Sequence, residues 1–442
     1  MLSKLRKILQ SFLLRVKSSS FVRDVLMVGG GIALAQAISL AFMPLLTRLY
    51  GPESFGIAAS FAAILNIITP ISTMGYANAI VMPESDEDAS AVARLSISIA
   101  LFLIPITSLA VFLGKPWLAQ WTGMQQSPNM LYLIPVSLII TAFLSVANQS
   151  AIRAQLFKPK ARAYVESILI TNINKLLGGL VAPSGLMLIT LTILGSLTNF
   201  IFQILRVPRQ GVLKPSNWLG LRGTLQAAKT QKDFAVYRMP QSVINITTVS
   251  LPVIILTSFF GPSSAGQYSL AALILGAPSM LLGQAVGEVF YPKITRAITN
   301  HDSNAYKILL KVSLTLACVG ILPFGFIFFF GEWALSIIFG EEWRLAGQYS
   351  RWLSLWLFST LISGASVAAI PALGLQRFLL IREFLSVILR VAALYIGFKM
   401  YNSDMIAIKL FSFAGVALSL LIIYTTINRL HKNVKQWNLN NS

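Results

Sequence analysis

The chain has 442 residues, 55% of them hydrophobic and only 11% charged, with a formal net charge of +20 and a mean hydropathy of +0.72. A soluble protein of this length carries about 25% charged residues, so there are too few charges here to cover a water-facing surface. That excludes a soluble enzyme and makes the chain a polytopic membrane protein, while one cysteine, Cys318, leaves no intrachain disulfide and no Cys-based zinc site.

The first 24 residues are basic. Leu2, Leu5, Leu9, Phe12, Leu13 and Val16 recur at helical spacing among Lys4, Lys7, Arg15 and Lys17. The pattern lacks the uninterrupted apolar stretch and cleavage site of a signal peptide. It suits a cytoplasmic amphipathic helix lying on an anionic membrane surface, with a disordered basic tail as the other reading.

Twelve apolar stretches then follow, near 25–47, 55–81, 92–114, 129–151, 164–182, 186–205, 240–260, 264–290, 308–330, 348–372, 383–400 and 405–427. Each approaches the roughly 20 residues that a spanning helix needs. Pro183-Ser184-Gly185 is read as a very short turn between the fifth and sixth. The segment 206–239, with Trp218, Leu219, Leu221 and Leu225 among basic residues, reads as a cytoplasmic linker with an interfacial helix. It separates an N-terminal six-helix bundle, 25–205, from a C-terminal one, 240–427, and a cytoplasmic tail follows at 428–442.

Twenty-six Lys and Arg fall in one alternate set of loops and tails, against only Arg48, Lys115, Arg344 and Lys399 in the other. The first set includes Arg377 and Arg382 after the tenth span. This bias predicts that both termini are cytoplasmic. The basic charge therefore reports orientation and does not call for a nucleic-acid partner. One loop on the cytoplasmic side, PESDEDAS at 83–90, is acidic; acids weigh little in the rule.

The chain repeats itself. YGPESFG at 50–56 returns as FGPSSAG at 260–266, an offset of 210. Pro44 matches Pro252, Pro70 matches Pro278 and Gly75 matches Gly283 at 208, and Pro83 matches Pro292 at 209. Glu166 and Glu383, at the starts of spans five and eleven, are a weaker match. An even-numbered unit of six helices enters the membrane the same way twice. The expected fold is thus all-α: twelve transmembrane helices in two parallel six-helix repeats. In each Gly-Pro-x-x-x-Gly, proline ends one helix and glycine permits the tight reversal.

A cation at bilayer depth costs about 2.5–3.5 kcal/mol on insertion scales and calls for a reason. Lys175 lies about twelve residues into span five, near Asn172 and Asn174, and Arg390 about eight into span eleven. Equivalent helices thus place cations at similar depth, which predicts a hydrated cationic cavity; pairing with a carbonyl or an acid is the other reading. Arg48, at the end of span one, and Arg351, early in span ten, either join this lining or snorkel to headgroups. Glu288 and Glu166 are candidates for proton or ion coupling, or structural partners of a cation. Gln284 belongs to a set of span amides, with Asn78, Asn148, Gln149, Asn199 and Gln267, that serve either a wet cavity or interhelical bonding. No P-loop, H-E-x-x-H or C-x-x-C occurs, so no cofactor, metal or catalytic nucleophile is expected.

PLLTRLYGPESFG, followed by AIVMPESDEDA, resembles the signature region of the polysaccharide transporter family, which includes the Wzx-type O-antigen flippases. That family sits within the superfamily of multidrug and lipid-linked oligosaccharide exporters. LPVIILTSFFGPSSAGQYSLAALILGAPSMLLGQAVGEVFYP is similar to the family's second-half counterpart. The resemblance covers roughly residues 25–95 and 240–295. It implies a MATE-like exporter fold with a V-shaped cavity in a bacterial cytoplasmic membrane. The implied substrate is an oligosaccharide unit on undecaprenyl pyrophosphate, and the implied partners are membrane lipids and polysaccharide polymerase or export proteins. Arg48 falls in the family's T-R-x-Y/F-x-P motif; Lys175 and Arg390 match no motif. Relatives that flip peptidoglycan precursor typically have fourteen helices. Transport would draw on H⁺ or Na⁺ exchange or on the membrane potential. The rival readings are a multidrug/cation antiporter, which would want acids in its cavity, and a glycan polymerase or ligase, which would want a large external loop.

Overall fold

The computed structural model describes residues 20–207, 210–286 and 290–440. The N-terminal amphipathic segment falls almost wholly outside these. Among the described residues the regular elements are helices only.

The first, α1 (Ser20–Ser72), is two helices joined at Gly51, whose φ of 67° and ψ of 169° break the helical path. Then come α2 (Asp86–Thr122), α3 (Leu133–Arg153), α4 (Phe157–Val181), α5 (Gly185–Arg206), the short α6 (Thr224–Thr230) and α7 (Met239–Phe260). The remainder are α8 (Pro262–Ala285), α9 (Tyr291–Thr299), α10 (Ala305–Phe339), α11 (Arg344–Ala369), α12 (Gln376–Tyr401) and α13 (Asp404–Asn440). Each of the twelve expected spans overlaps a helix over most of its length. Eight helical stretches among the described residues are long and apolar enough to cross a bilayer, and Gly30–Ser72 contains two expected spans. The helices α4, α8 and α12 fall short of that test, so a count of twelve crossings remains an expectation from the sequence.

The chain forms two compact units. One comprises 1–50 and 61–250, the other 51–60 and 251–442. In the first, α2 packs on α3, α3 on α5, and α5 on α4. In the second, α10 packs on α11, α11 on α13, and α13 on α12. The third-to-sixth helices of each repeat are therefore paired in the same order, which is the structural signature of the duplication.

Local chemistry explains several boundaries. The acidic PESDEDAS is a helix start: Ser85 accepts from the backbone N–H of Asp88 at 3.1 Å, and Asp86, Glu87 and Asp88 fill the first turn of α2. Acids there complement the positive end of the helix dipole. Arg153, ending α3, fastens this corner through Asp86 at 3.2 Å and the carbonyls of Pro83 and Glu84. The Pro-Ser-Gly turn is present, with Ser184 capping Met187 of α5.

Two expectations are corrected, and two polar segments are better defined than the sequence shows. Span two does not continue to 81: α1 ends at Ser72, and Tyr76–Val81 is a separate 3-10 turn with Tyr76 and Ile80 buried. The described part of the linker 206–239 is packed onto the first unit. Its Trp218 is 2% exposed and donates from Nε1 to the Val212 carbonyl at 2.6 Å. Val212, Trp218 and Ala227 share one core with Ile80, Val92, Ile97 and Val146. Leu219, Leu221 and Leu225 stay exposed, as the interfacial reading requires. Arg377 and Arg382 are not in a loop but in the first turns of α12. The C-terminal tail is helix through Asn440, held by stacking of Trp437 on His301 at 5.0 Å and by a tilted contact of His431 with Tyr306 at 5.2 Å.

The repeated motif has two jobs. Gly51 and Gly261 both adopt positive φ, 67° and 90°, a conformation that costs other residues. Gly56 and Gly266 do something else. A methyl on Gly56 would overlap the Pro262 carbonyl, and one on Gly266 would overlap that of Pro52. The two copies thus lie backbone to backbone within the second unit, a contact only small residues allow. The hydroxyls of Ser60 and Thr257 bond beside it, and the Phe55 and Trp343 rings meet edge to face at 5.3 Å.

Candidate functional site

In the first unit, Lys175 is carried by α4 and is half-buried. The Tyr50 hydroxyl donates to its backbone carbonyl at 2.7 Å, and Gly179, one turn on, lets α4 approach the Tyr50 ring. The end of the first arm of α1 is thereby fixed against the turn that presents Lys175. The ammonium has no ion pair or hydrogen bond among the described residues. Asn172 is buried and donates to the Ile168 carbonyl of its own helix at 2.9 Å, whereas Asn174 is exposed.

In the second unit, Arg390 of α12 lies over the Trp356 ring at 4.4 Å and the Phe411 ring at 5.4 Å. Those two rings meet edge to face at 5.2 Å, and Tyr268 contacts Phe411 at 6.3 Å. A guanidinium on aromatic faces gains cation–π attraction and keeps its planar N–H fork free for an oxyanion. Arg390 pairs with no acid among the described residues, and its Nε is buried without a partner. Arg382, eight residues earlier, has a side chain only 10% exposed, pairs with Glu383, and also holds a buried, unpartnered Nε. Sequence reasoning missed it by placing it in a loop; its helical continuity with Arg390 was the available signal.

The two cations sit at different distances from the ends of their helices. Lys175 lies six residues before the end of α4 at Val181, Arg390 eleven before the end of α12 at Tyr401. At about 1.5 Å per residue the offset is roughly 7–8 Å along the helix axis.

The other candidates are dispersed. Arg48 is exposed near the end of the first arm of α1. Arg351 is exposed on α11, over the rings of Phe328 at 5.0 Å and Trp352 at 6.0 Å. Glu166 is held between Arg162 at 2.8 Å and Arg206, which ties α4 to α5. Glu288 and the side chain of Gln284 lie outside the described residues. Most of the other span amides bond one another or the backbone. Gln149 donates to Asn78 at 2.9 Å, Gln203 to Asn148 and Asn199, and Gln267 bridges the Glu342 carbonyl and the Ala346 N–H. They act as interhelical bonds and not as a free lining.

The match to known proteins agrees with this architecture. Residues 45–347 match the model of the family described as polysaccharide biosynthesis protein. The succinoglycan biosynthesis transport protein ExoT of Rhizobium meliloti is 24% identical over 312 residues, 69% of this chain and 59% of that protein. The chain thus spans less than two thirds of that relative's length. An inward-facing multidrug resistance MATE family transporter superposes with a TM-score of 0.68 at 14% identity, over 90% of this chain and 96% of the other. The lipid II flippase MurJ, inward closed, gives 0.68 at 13% identity, over 94% and 91%. These two superpositions establish a shared fold.

Proposed function

The chain belongs to the polysaccharide biosynthesis protein family, and from that premise we propose that it is a multi-pass transporter carrying a lipid-linked oligosaccharide across the bacterial cytoplasmic membrane. The cargo in this reading is an oligosaccharide repeat unit on undecaprenyl pyrophosphate, bound for a surface polysaccharide. The observation that carries it is Arg390: a guanidinium deep in a helix, stacked on Trp356 and Phe411, with no acid paired to it. Such a group is costly in a membrane unless an anion visits it. A diphosphate is that anion, and charge-assisted bonds to it are the strong kind. Lys175 supplies a second cation in the first unit. The name of the relative ExoT, a succinoglycan transport protein, and that of MurJ, a lipid II flippase, support the same cargo class.

The proposed movement is alternating access of the two six-helix halves, driven by H⁺ or Na⁺ exchange or by the membrane potential. Cation antiport would want unpaired acids, and Glu166 and Glu332 are each taken up by arginine. The test is deletion of the gene followed by extraction of undecaprenyl-linked glycan. Accumulation on the cytoplasmic side, reversed by the wild-type chain and not by Arg390→Ala, is the expected result. Unchanged lipid-linked pools and normal surface glycan in the deletion strain would refute it.

A further inference from the structure

The docked segment 206–239 creates a cavity of about 560 Å³ against the start of α2, lined by Glu87, Asp88, Arg94, Arg222, Gln226, Thr230 and Gln231 over a floor of Ala91, Val92 and Ala227. It lies wholly within the first unit, at the end that carries the basic loops, and no role for it follows from the family. Its size is in the range of ligand pockets, about 300–1,000 Å³. It is also preformed. Arg94 donates to the carbonyls of Arg222 at 2.9 Å and Asn217 at 3.5 Å, Asn217 donates to the Gly211 carbonyl, and buried Trp218 anchors the same stretch.

The lining selects a chemistry. Arg94 is spent on backbone carbonyls, and Arg222 faces Glu87 at 3.5 Å. With Asp88 adjacent, the wall carries as much negative as positive charge, which disfavours a phosphate. An apolar ligand would strand these groups. The side chains of Gln226, Thr230 and Gln231 make no hydrogen bond to the described residues. Two amides and a hydroxyl both donate and accept, which suits a neutral, polyhydroxylated ligand. We propose that this cavity binds sugar residues of the glycan on the loading side, before the carrier lipid's diphosphate is engaged. This rests on the transport reading and adds to it a sugar-recognising site outside the membrane spans.

The experiment uses the full chain in lipid nanodiscs, with cellobiose, lactose and maltotriose as probes in saturation-transfer difference NMR. At least one probe should show transfer, and Gln226→Ala/Gln231→Ala should weaken it about tenfold or more, the effect of losing two hydrogen bonds. Both residues are on or beside the short α6 and Gln226 is exposed, so the variant should elute and melt as the wild type does. Inorganic phosphate should not compete. Absence of transfer from all three probes to the wild type, equal transfer to the double variant, or competition by phosphate would each overturn the proposal. Failure of the transport reading would show differently: the deletion strain would display normal surface glycan while the purified chain still bound the probe.

Discussion

At the scale of single residues, the two deep cations are not alike. Lys175 is a point charge on a flexible stem; Arg390 is a planar fork braced by Trp356 and Phe411. Lys cannot reproduce stacking plus bidentate bonding. Arg390→Lys should therefore lower glycan export about 10–100-fold, nearly as much as Arg390→Ala, because a charge-assisted bond is worth about 1.5–3 kcal/mol. Surface-glycan yield normalised to membrane-inserted protein checks this. Lys175→Arg should retain most activity, and Lys175→Ala should not. Glu166 makes a contrasting case. It is engaged by two arginines, so Glu166→Gln should lower the melting temperature slightly, at a cost of about 1 kcal/mol or less for partly exposed pairs. The dependence of transport on a proton or sodium gradient should not change; a changed ion dependence would instead return Glu166 to the coupling role. The charge and position of these residues were readable from the chain. Their partners were not, because ion pairs such as Glu166 to Arg206 join residues 40 apart that only packing of α4 on α5 brings together.

At the scale of elements, two features give sharp tests. Trp218, within the segment that joins the repeats, is nearly fully buried against the first unit. Replacing it with alanine should cost about 3–5 kcal/mol locally, enough to release that segment. Limited trypsin digestion should then cleave near Lys214 and Arg222 in Trp218→Ala and spare the wild type. Gly56 and Gly266 leave no room for a side chain against the facing Pro-x-x-x-Gly backbone. Gly56→Leu should abolish monodisperse protein in detergent extracts, whereas Gly364→Ala, where a methyl meets nothing within 4 Å among the described residues, should be tolerated. The helices themselves were legible because apolar runs and Gly-Pro punctuation are local signals. The packing of the polar segments was not legible: 206–239 and 428–442 read as linker and tail because their burial depends on a few spaced residues such as Trp218 and Trp437. Their partners, Val92 and His301, lie far off in sequence.

At the scale of the molecule, the shared pairing order of helices in the two units, together with the superpositions on a MATE transporter and on MurJ, identifies a duplicated helical fold shared with those proteins. The strong Lys/Arg asymmetry of the loops predicts its orientation. With Cys318 replaced by serine, single cysteines introduced at Ser127 and Ser403 should react with an impermeant maleimide from outside intact cells. A cysteine at Asn300 should react only after permeabilisation. The reverse pattern would invert the topology.

The sequence by itself determined the class, the helix positions and the duplication, because hydropathy and a 208–210-residue repeat are properties of the chain alone. It also placed cations and acids at given positions along the spans. Only the tertiary structure decided which of those groups are spent and which are free. Glu166 and most of the span amides are consumed by neighbours, Arg390 is braced by rings from α11 and α13, and the connecting segment closes a polar cavity on α2. The reason is physical: a side chain's capacity to bind a ligand is what remains after its own fold has used its hydrogen bonds and charge, and that remainder depends on contacts between distant residues.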